Sequence, residues 1–122
     1  MTRDYRKLAV FVEADALVPL VYRVTVALPA SERYGLQVQI RKAAVSAPTN
    51  LVEGSSRRST TEYCRFVEVA YGSAREVSYL LLLATRLGFL TEVVVQPLVK
   101  RYDALQAGLY CLLESLCPES CR

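Results

Sequence analysis

Apolar residues recur along this chain at steps of three and four, and no stretch alternates apolar with polar, so the pattern predicts helices and no strands. Four segments carry the helical period, at about residues 4–28, 32–55, 60–88 and 91–116. In the first, Phe11, Ala14, Val18, Val21 and Leu28 form the expected inner face, with Pro19 predicting a bend. The second starts after Ser31, a suitable N-cap, and carries Leu36, Ile40, Ala43, Ala44, Ala47 and Leu51 on one stripe. Alanines dominate that stripe and let a neighbouring helix come close, Pro48 predicts a second bend, and Gly54-Ser55-Ser56 is the stop.

The third segment has the clearest start. Ser59-Thr60-Thr61-Glu62 spells a capping box, in which hydroxyl and carboxylate each take a backbone donor. Its inner face is Tyr63, Phe66, Val67, Ala70, Ala74, Val77, Leu81 and Ala84, and Gly88 ends it. The fourth takes Thr91 as cap, is delayed in its regular start by Pro97, and stops before Pro118. Long helices on short connections favour antiparallel neighbours, so the expected fold is all-α, an up-down-up-down four-helix bundle. With 122 residues, one domain over 1–122 is expected.

A lone bundle needs one apolar stripe per helix, but the first and third helices are apolar nearly all round. Val12, Ala16, Leu20 and Val26 lie off the inner face of the first, and Val69, Gly72, Tyr79 and Leu83 off that of the third. Such surface predicts a membrane face, a ligand wall or a subunit interface. The longest apolar run, Tyr79 to Ala84, is far short of the ~20 residues a span requires, so a subunit interface in a homo-oligomer is the expectation. No secretory pattern is read at the N-terminus, because Glu13 and Asp15 interrupt its apolar stretch; a cytoplasmic location follows.

Composition narrows the chemistry. The chain has no histidine, which removes the commonest general acid/base and the histidine ligands of a di-metal bundle. Cys64, Cys111, Cys117 and Cys121 are unevenly spaced and suggest neither a disulfide framework nor a zinc site; what the last three do is left open. No nucleophile-base set or phosphate-cradling glycine loop is present, so no enzyme, cofactor or metal is expected.

Several polar residues fall where a bundle would bury them. Ser46, Asn50, Glu53 and Arg57 follow one side of the second helix, and Ser73 and Glu76 are neighbours on the third. Glu53 and Glu76 could converge as paired carboxylates for acid/base or metal chemistry. The competing and preferred reading is a structural network tying helices together, with Arg41 or Arg65 as its cation.

The remaining chemistry is basic, though the net charge is only +3. Arg57 and Arg58 stand among hydroxyls just before a helix N-terminus, a combination able to hold phosphate, and Arg33, Arg41 and Lys42 extend the patch if they share a side. A solvated loop is the plainer reading.

The run Arg33-Tyr34-Gly35-Leu36, then Gln39-Ile40-Arg41-Lys42-Ala43-Ala44-Val45-Ser46-Ala47-Pro48-Thr49-Asn50-Leu51-Val52-Glu53-Gly54, closely resembles the signature of the family encoded in intervening sequences of bacterial large-subunit ribosomal RNA genes. The match continues through Arg57, Ser59, Glu62, Phe66, Ala70, Gly72, Ser73, Glu76 and Leu80 to Leu87-Gly88-Phe89-Leu90, and more weakly upstream through Leu8, Phe11, Ala14 and Tyr22. Phe11 departs from the family's usual tryptophan, and Thr49 and Leu51-Val52 from its usual isoleucine or alanine; all keep an apolar or small character. The resemblance implies a four-helix bundle, homopentamers, a role in binding nucleic acid, and kinship with accessory bundles of diversity-generating retroelements.

Two function classes follow. One is an oligomer binding RNA or DNA, with RNA favoured, through phosphate contacts. The other is a scaffold that holds a partner protein on its apolar and tyrosine-bearing faces. Salt-dependent RNA binding separates them.

Overall fold

The computed structural model describes residues 3–118. It contains four helices, α1 (Ala9–Thr25), α2 (Leu36–Ser55), α3 (Thr60–Arg86) and α4 (Glu92–Leu116), and no strand among the described residues. Short 3-10 turns at Tyr5–Lys7 and Ala30–Glu32 precede α1 and α2.

The first expected helix therefore divides. Asp4 accepts the Arg6 N–H at 3.1 Å and caps a single turn, and Leu8, extended at φ −85° and ψ 119°, separates that turn from α1. At the other end α1 stops at Thr25, and its last carbonyls are taken by α2: Gln37 Nε2 donates to Thr25 O at 3.1 Å and Arg41 Nη2 to Tyr22 O at 3.1 Å. Side chains of the neighbouring helix thus satisfy acceptors that every helix end leaves without an intrahelical donor.

Ser31 is not the cap of α2 but lies inside the preceding 3-10 turn. Gly35 holds the cap position, and the Glu32 carboxylate accepts the Leu36 N–H at 3.1 Å. α3 begins where expected, with half of the expected box. Ser59 Oγ accepts the Glu62 N–H at 3.1 Å, while the Glu62 carboxylate takes the Ser59 hydroxyl proton at 3.3 Å instead of a backbone donor. Gly88 closes α3 with φ +79°, a left-handed conformation that glycine adopts without strain. Phe89 N–H donates to Ala84 O at 2.9 Å and Gly88 N–H to Thr85 O at 3.0 Å, the two bonds of a Schellman motif. α4 is regular from Glu92 onward, so Pro97 does not delay it; the Thr91 carbonyl receives the N–H groups of Val94 and Val95. Pro19 and Pro48 likewise sit inside continuous helices.

Cross-helix pairs fix the topology. Arg3, ahead of α1, donates to Arg57 O just after α2, whereas Tyr22 near the end of α1 meets Arg41 in the first half of α2. Ser46 meets Ser73 while Gly54 lies against Phe66, and Ser78 meets Gln106 while Tyr71 lies near Tyr110. Val10 lies against Gly108 and Glu13 reaches Arg101. In each pair the number rises on one helix as it falls on the other, so neighbours run antiparallel. The packed pairs are α1 with α2, α2 with α3, α3 with α4 and α1 with α4, which places α1 and α3 on a diagonal.

The buried residues form one cluster. Ala43, Ala44 and Ala47 of α2 and Ala70 and Ala74 of α3 are all buried, and these small side chains bring two backbones together. The approach is close at Gly54, where a Cβ would stand 2.6 Å from Phe66 Cβ. On α1 the inward residues are Ala14, Leu17, Val21 and Thr25, while Phe11 and Val18 are half-buried.

Candidate nucleic-acid interface

The cations that sequence grouped together do not form one patch. Arg33 precedes α2 and Arg57 follows it, and a helix of 20 residues separates them by about 30 Å at 1.5 Å per residue. Arg41 and Lys42 lie between these ends.

At the α2–α3 loop most polar groups are used internally, although the buried Arg57 Nε has no hydrogen-bond partner among the described residues. The Arg57 guanidinium bonds Glu53 Oε1 at 3.2 Å and lies over the Phe66 ring, 4.6 Å from its centroid. Arg3 reaches the same corner, donating to Arg57 O at 3.2 Å and lying 4.3 Å from the centroid of Tyr63. Ser55 and Ser56 donate to Val52 O and Glu53 O, Ser59 is engaged with Glu62, and Thr60 Oγ1 accepts from Arg3 at 3.4 Å. Arg58 is exposed and makes no such contact among the described residues. The corner is a clamp with one cation left over.

The outer side of α2 differs. A groove of about 610 Å³ is lined by Tyr22, Gln37, Val38, Arg41, Lys42, Val45, Ser46, Thr49 and Asn50. It brings the cations Arg41 and Lys42 together with the polar residues Ser46 and Asn50. Its lining contains no carboxylate. Lys42 and Ser46 also border a second groove of about 410 Å³ with Gln39, Ala43, Ser73 and Glu76.

The expected polar network exists in two separate pieces. Ser46 Oγ and Ser73 Oγ share a hydrogen bond of 2.8 Å across α2 and α3, and Asn50 Nδ2 donates to Ser46 O at 2.8 Å and to Ser46 Oγ at 3.0 Å. Glu53 is exposed and belongs to the Arg57 clamp, and Glu76 is exposed beside Lys42 and Ser46. Glu53 and Ser46 are two helical turns apart, roughly 10 Å, so Glu53 and Glu76 do not converge as paired carboxylates. Neither Arg41, which serves α1, nor the exposed Arg65 is the cation of this network. Among the described residues no group of His, Cys, Asp or Glu is placed to hold a metal ion. Cys64 and Cys117 are buried and Cys111 is exposed; Cys121 lies outside the described residues.

Of the residues expected at a subunit contact, Val12, Ala16, Val69, Gly72 and Tyr79 are exposed, whereas Leu20 and Leu83 are half-buried against the core. Sequence reasoning missed Tyr22 and Thr25 as partners of Arg41. Nothing within one helix marks them, since the meeting depends on how α1 and α2 are aligned.

Fold and surface together define an all-helical bundle with its cations on outer faces and helix ends and a few polar side chains, among them Ser73, Ser78 and Gln106, buried between helices. No helix among the described residues is long and apolar enough to cross a membrane. The chain belongs to the 23S rRNA-intervening sequence protein family, whose sequence profile matches residues 6–111. It is also similar to the crystal structure of a protein of unknown function from the S23 ribosomal protein family of Bacteroides thetaiotaomicron, with TM-score 0.78 and 16% identity over 87% of this chain and 99% of that one. At that identity the likeness concerns the fold alone. No curated protein matches the chain.

Proposed function

We propose that this chain works in the cytoplasm as a non-enzymatic homo-oligomer that binds RNA through phosphate contacts. The observation that carries the reading is the α2 groove, where Arg41 and Lys42 stand beside Ser46, Thr49 and Asn50 with no acidic residue in the lining. Cations with hydroxyl and amide neighbours are the side chains that hold phosphate and sugar oxygens. The family's tie to ribosomal RNA genes and the net charge of +3 point the same way. Lys42 is the principal phosphate ligand in this reading, because Arg41 is already committed to α1, and Arg58 adds a second contact at the loop.

Assembly follows from the diagonal placement of α1 and α3. Val12 is 54% exposed on one, and Val69 and Tyr79 are 49% and 56% exposed on the other. Two unlike apolar faces on opposite sides make a head-to-tail contact that closes as a ring, and the family resemblance puts five subunits in it. A ring repeats the groove, so weak phosphate contacts add as avidity. The scaffold reading draws on another place: Val26, Tyr34, Leu87 and Val93 are exposed apolar residues at one end of the bundle and would suit a protein partner.

Titration of labelled RNA at several salt concentrations, with light scattering on the same sample, tests the proposal. The expected result is an oligomer whose RNA affinity falls steeply with salt. A monomer at micromolar concentration would remove the ring, and absence of RNA binding at low salt would put the scaffold first.

A further inference from the structure

The groove on α2 offers a flat surface as well as charge. The Arg41 guanidinium lies 4.4 Å from the centroid of the Tyr22 ring, and Tyr22 is 40% exposed. This pairing is held from the edge. Arg41 Nε donates to Thr25 Oγ1 at 2.9 Å and Nη2 to Tyr22 O at 3.1 Å, while the buried Thr25 hydroxyl donates onward to Val21 O at 2.7 Å. A guanidinium fixed by its in-plane N–H groups keeps its faces for stacking, one of them on the ring. Val38 and Val45, both partly exposed, line the same groove, and Lys42 lies in it as a charge without an ion-pair partner among the described residues. Asn50 spends its amide nitrogen on Ser46, and its carbonyl oxygen makes no hydrogen bond among the described residues. The volume of about 610 Å³ falls in the ~300–1,000 Å³ range of sites that enclose small molecules, enough for a nucleotide.

We propose that this groove takes unpaired nucleotides of an RNA strand, one base continuing the Tyr22–Arg41 stack and the adjoining phosphate lying on Lys42. The proposal rests on the RNA-binding reading above and adds a selectivity to it. A base in a duplex has both faces covered by its neighbours, so a stacking platform favours single strands, whereas a purely cationic surface does not. The chemistry is sequence-tolerant, since every base has a flat face. RNA is favoured over an acidic peptide because the platform contributes only to a planar ligand.

The test uses the full chain and three probes of equal length: a single-stranded oligoribonucleotide carrying 2-aminopurine, its duplex, and an abasic ribose-phosphate strand. The single strand is expected to bind tightest, with 2-aminopurine emission quenched by stacking. Tyr22→Ala is expected to weaken the single strand about tenfold and abolish the quenching while leaving the abasic strand unchanged, and Tyr22→Phe to behave as the parent. Circular dichroism checks the fold of each variant, and Tyr22→Leu, which keeps apolar bulk without a ring, carries the test should the alanine variant not fold. Equal affinity for all three probes, or unaltered binding and quenching when the ring is removed, overturns the groove assignment and leaves RNA binding standing. Failure of all three probes to bind at low salt overturns the RNA-binding reading and this proposal with it.

Discussion

Arg57 and Lys42 are both cations of the α2 region with serines close by, yet the fold treats them differently. Arg57 sits between a carboxylate and an aromatic ring, pairing with Glu53 four residues before it and stacking on Phe66 of the next helix. Lys42 makes no ion pair or ring contact among the described residues, and it borders two grooves at once, one of them shared with Glu76. The lesson is that formal charge read along a chain overstates the charge available to a partner. An arginine whose planar group finds an acid and a ring inside the molecule acts as a fastening, and the lysine in the groove keeps its charge for solvent or ligand.

The largest effect expected from this contrast is at Gly54, where α2 and α3 meet under the clamp. Gly54→Ala forces a Cβ to 2.6 Å from Phe66 Cβ and should destabilise the fold by about 2–3 kcal/mol in chemical denaturation. A cost near zero would mean that the corner can open and that the Arg57 arrangement is not fixed by packing. Next comes Arg57→Ala, which removes the stack on Phe66 and an exposed ion pair; a loss of about 1 kcal/mol is expected. Lys42→Ala, by contrast, should stay within about 0.5 kcal/mol of the parent, as a surface change away from any buried contact.

A further small effect calibrates exposed ion pairs on the far side of the bundle. Arg101 donates to Glu13 at 2.7 and 3.0 Å, and this hydrogen bonding holds the Glu13 carboxyl below its ordinary value of 4.5. A carboxylate whose folded value is depressed stabilises the fold above the unfolded value and loses that contribution as pH falls through the folded one. Acidification below about pH 4.5 should therefore cost the parent more than Glu13→Gln, by less than about 1 kcal/mol given the exposure of the pair. Identical acid profiles would show that this pair adds nothing.

Much of the fold was legible because it depends on signals local to one helix. The period placed all four helices, the alanine stripe foretold that a neighbouring helix comes close to α2, and Gly88 marked the end of α3. The first helix was misjudged where neighbouring apolar residues leave the period ambiguous: Leu17 points inward and Val18 less so. Ser31 resembled a cap because its hydroxyl suits one, but the chain makes a 3-10 turn there and Glu32 does the capping. The groove was legible only in fragments. Arg41, Lys42, Ser46 and Asn50 stood out as members of a basic patch and a polar network, while Tyr22, nineteen residues before Arg41, joins them through the antiparallel register of α1 on α2.

The central claim is that the available charge lies in the α2 groove and not in the clamp, and the salt dependence of RNA binding tests it most directly. Parent, Lys42→Ala and Arg57→Ala should be titrated with the same RNA over a range of salt concentrations. The account predicts that Lys42→Ala reduces the slope of log affinity against log salt by about one for each groove engaged, at unchanged stability, and that Arg57→Ala leaves the slope unaltered. A slope that falls with Arg57→Ala and not with Lys42→Ala would contradict it.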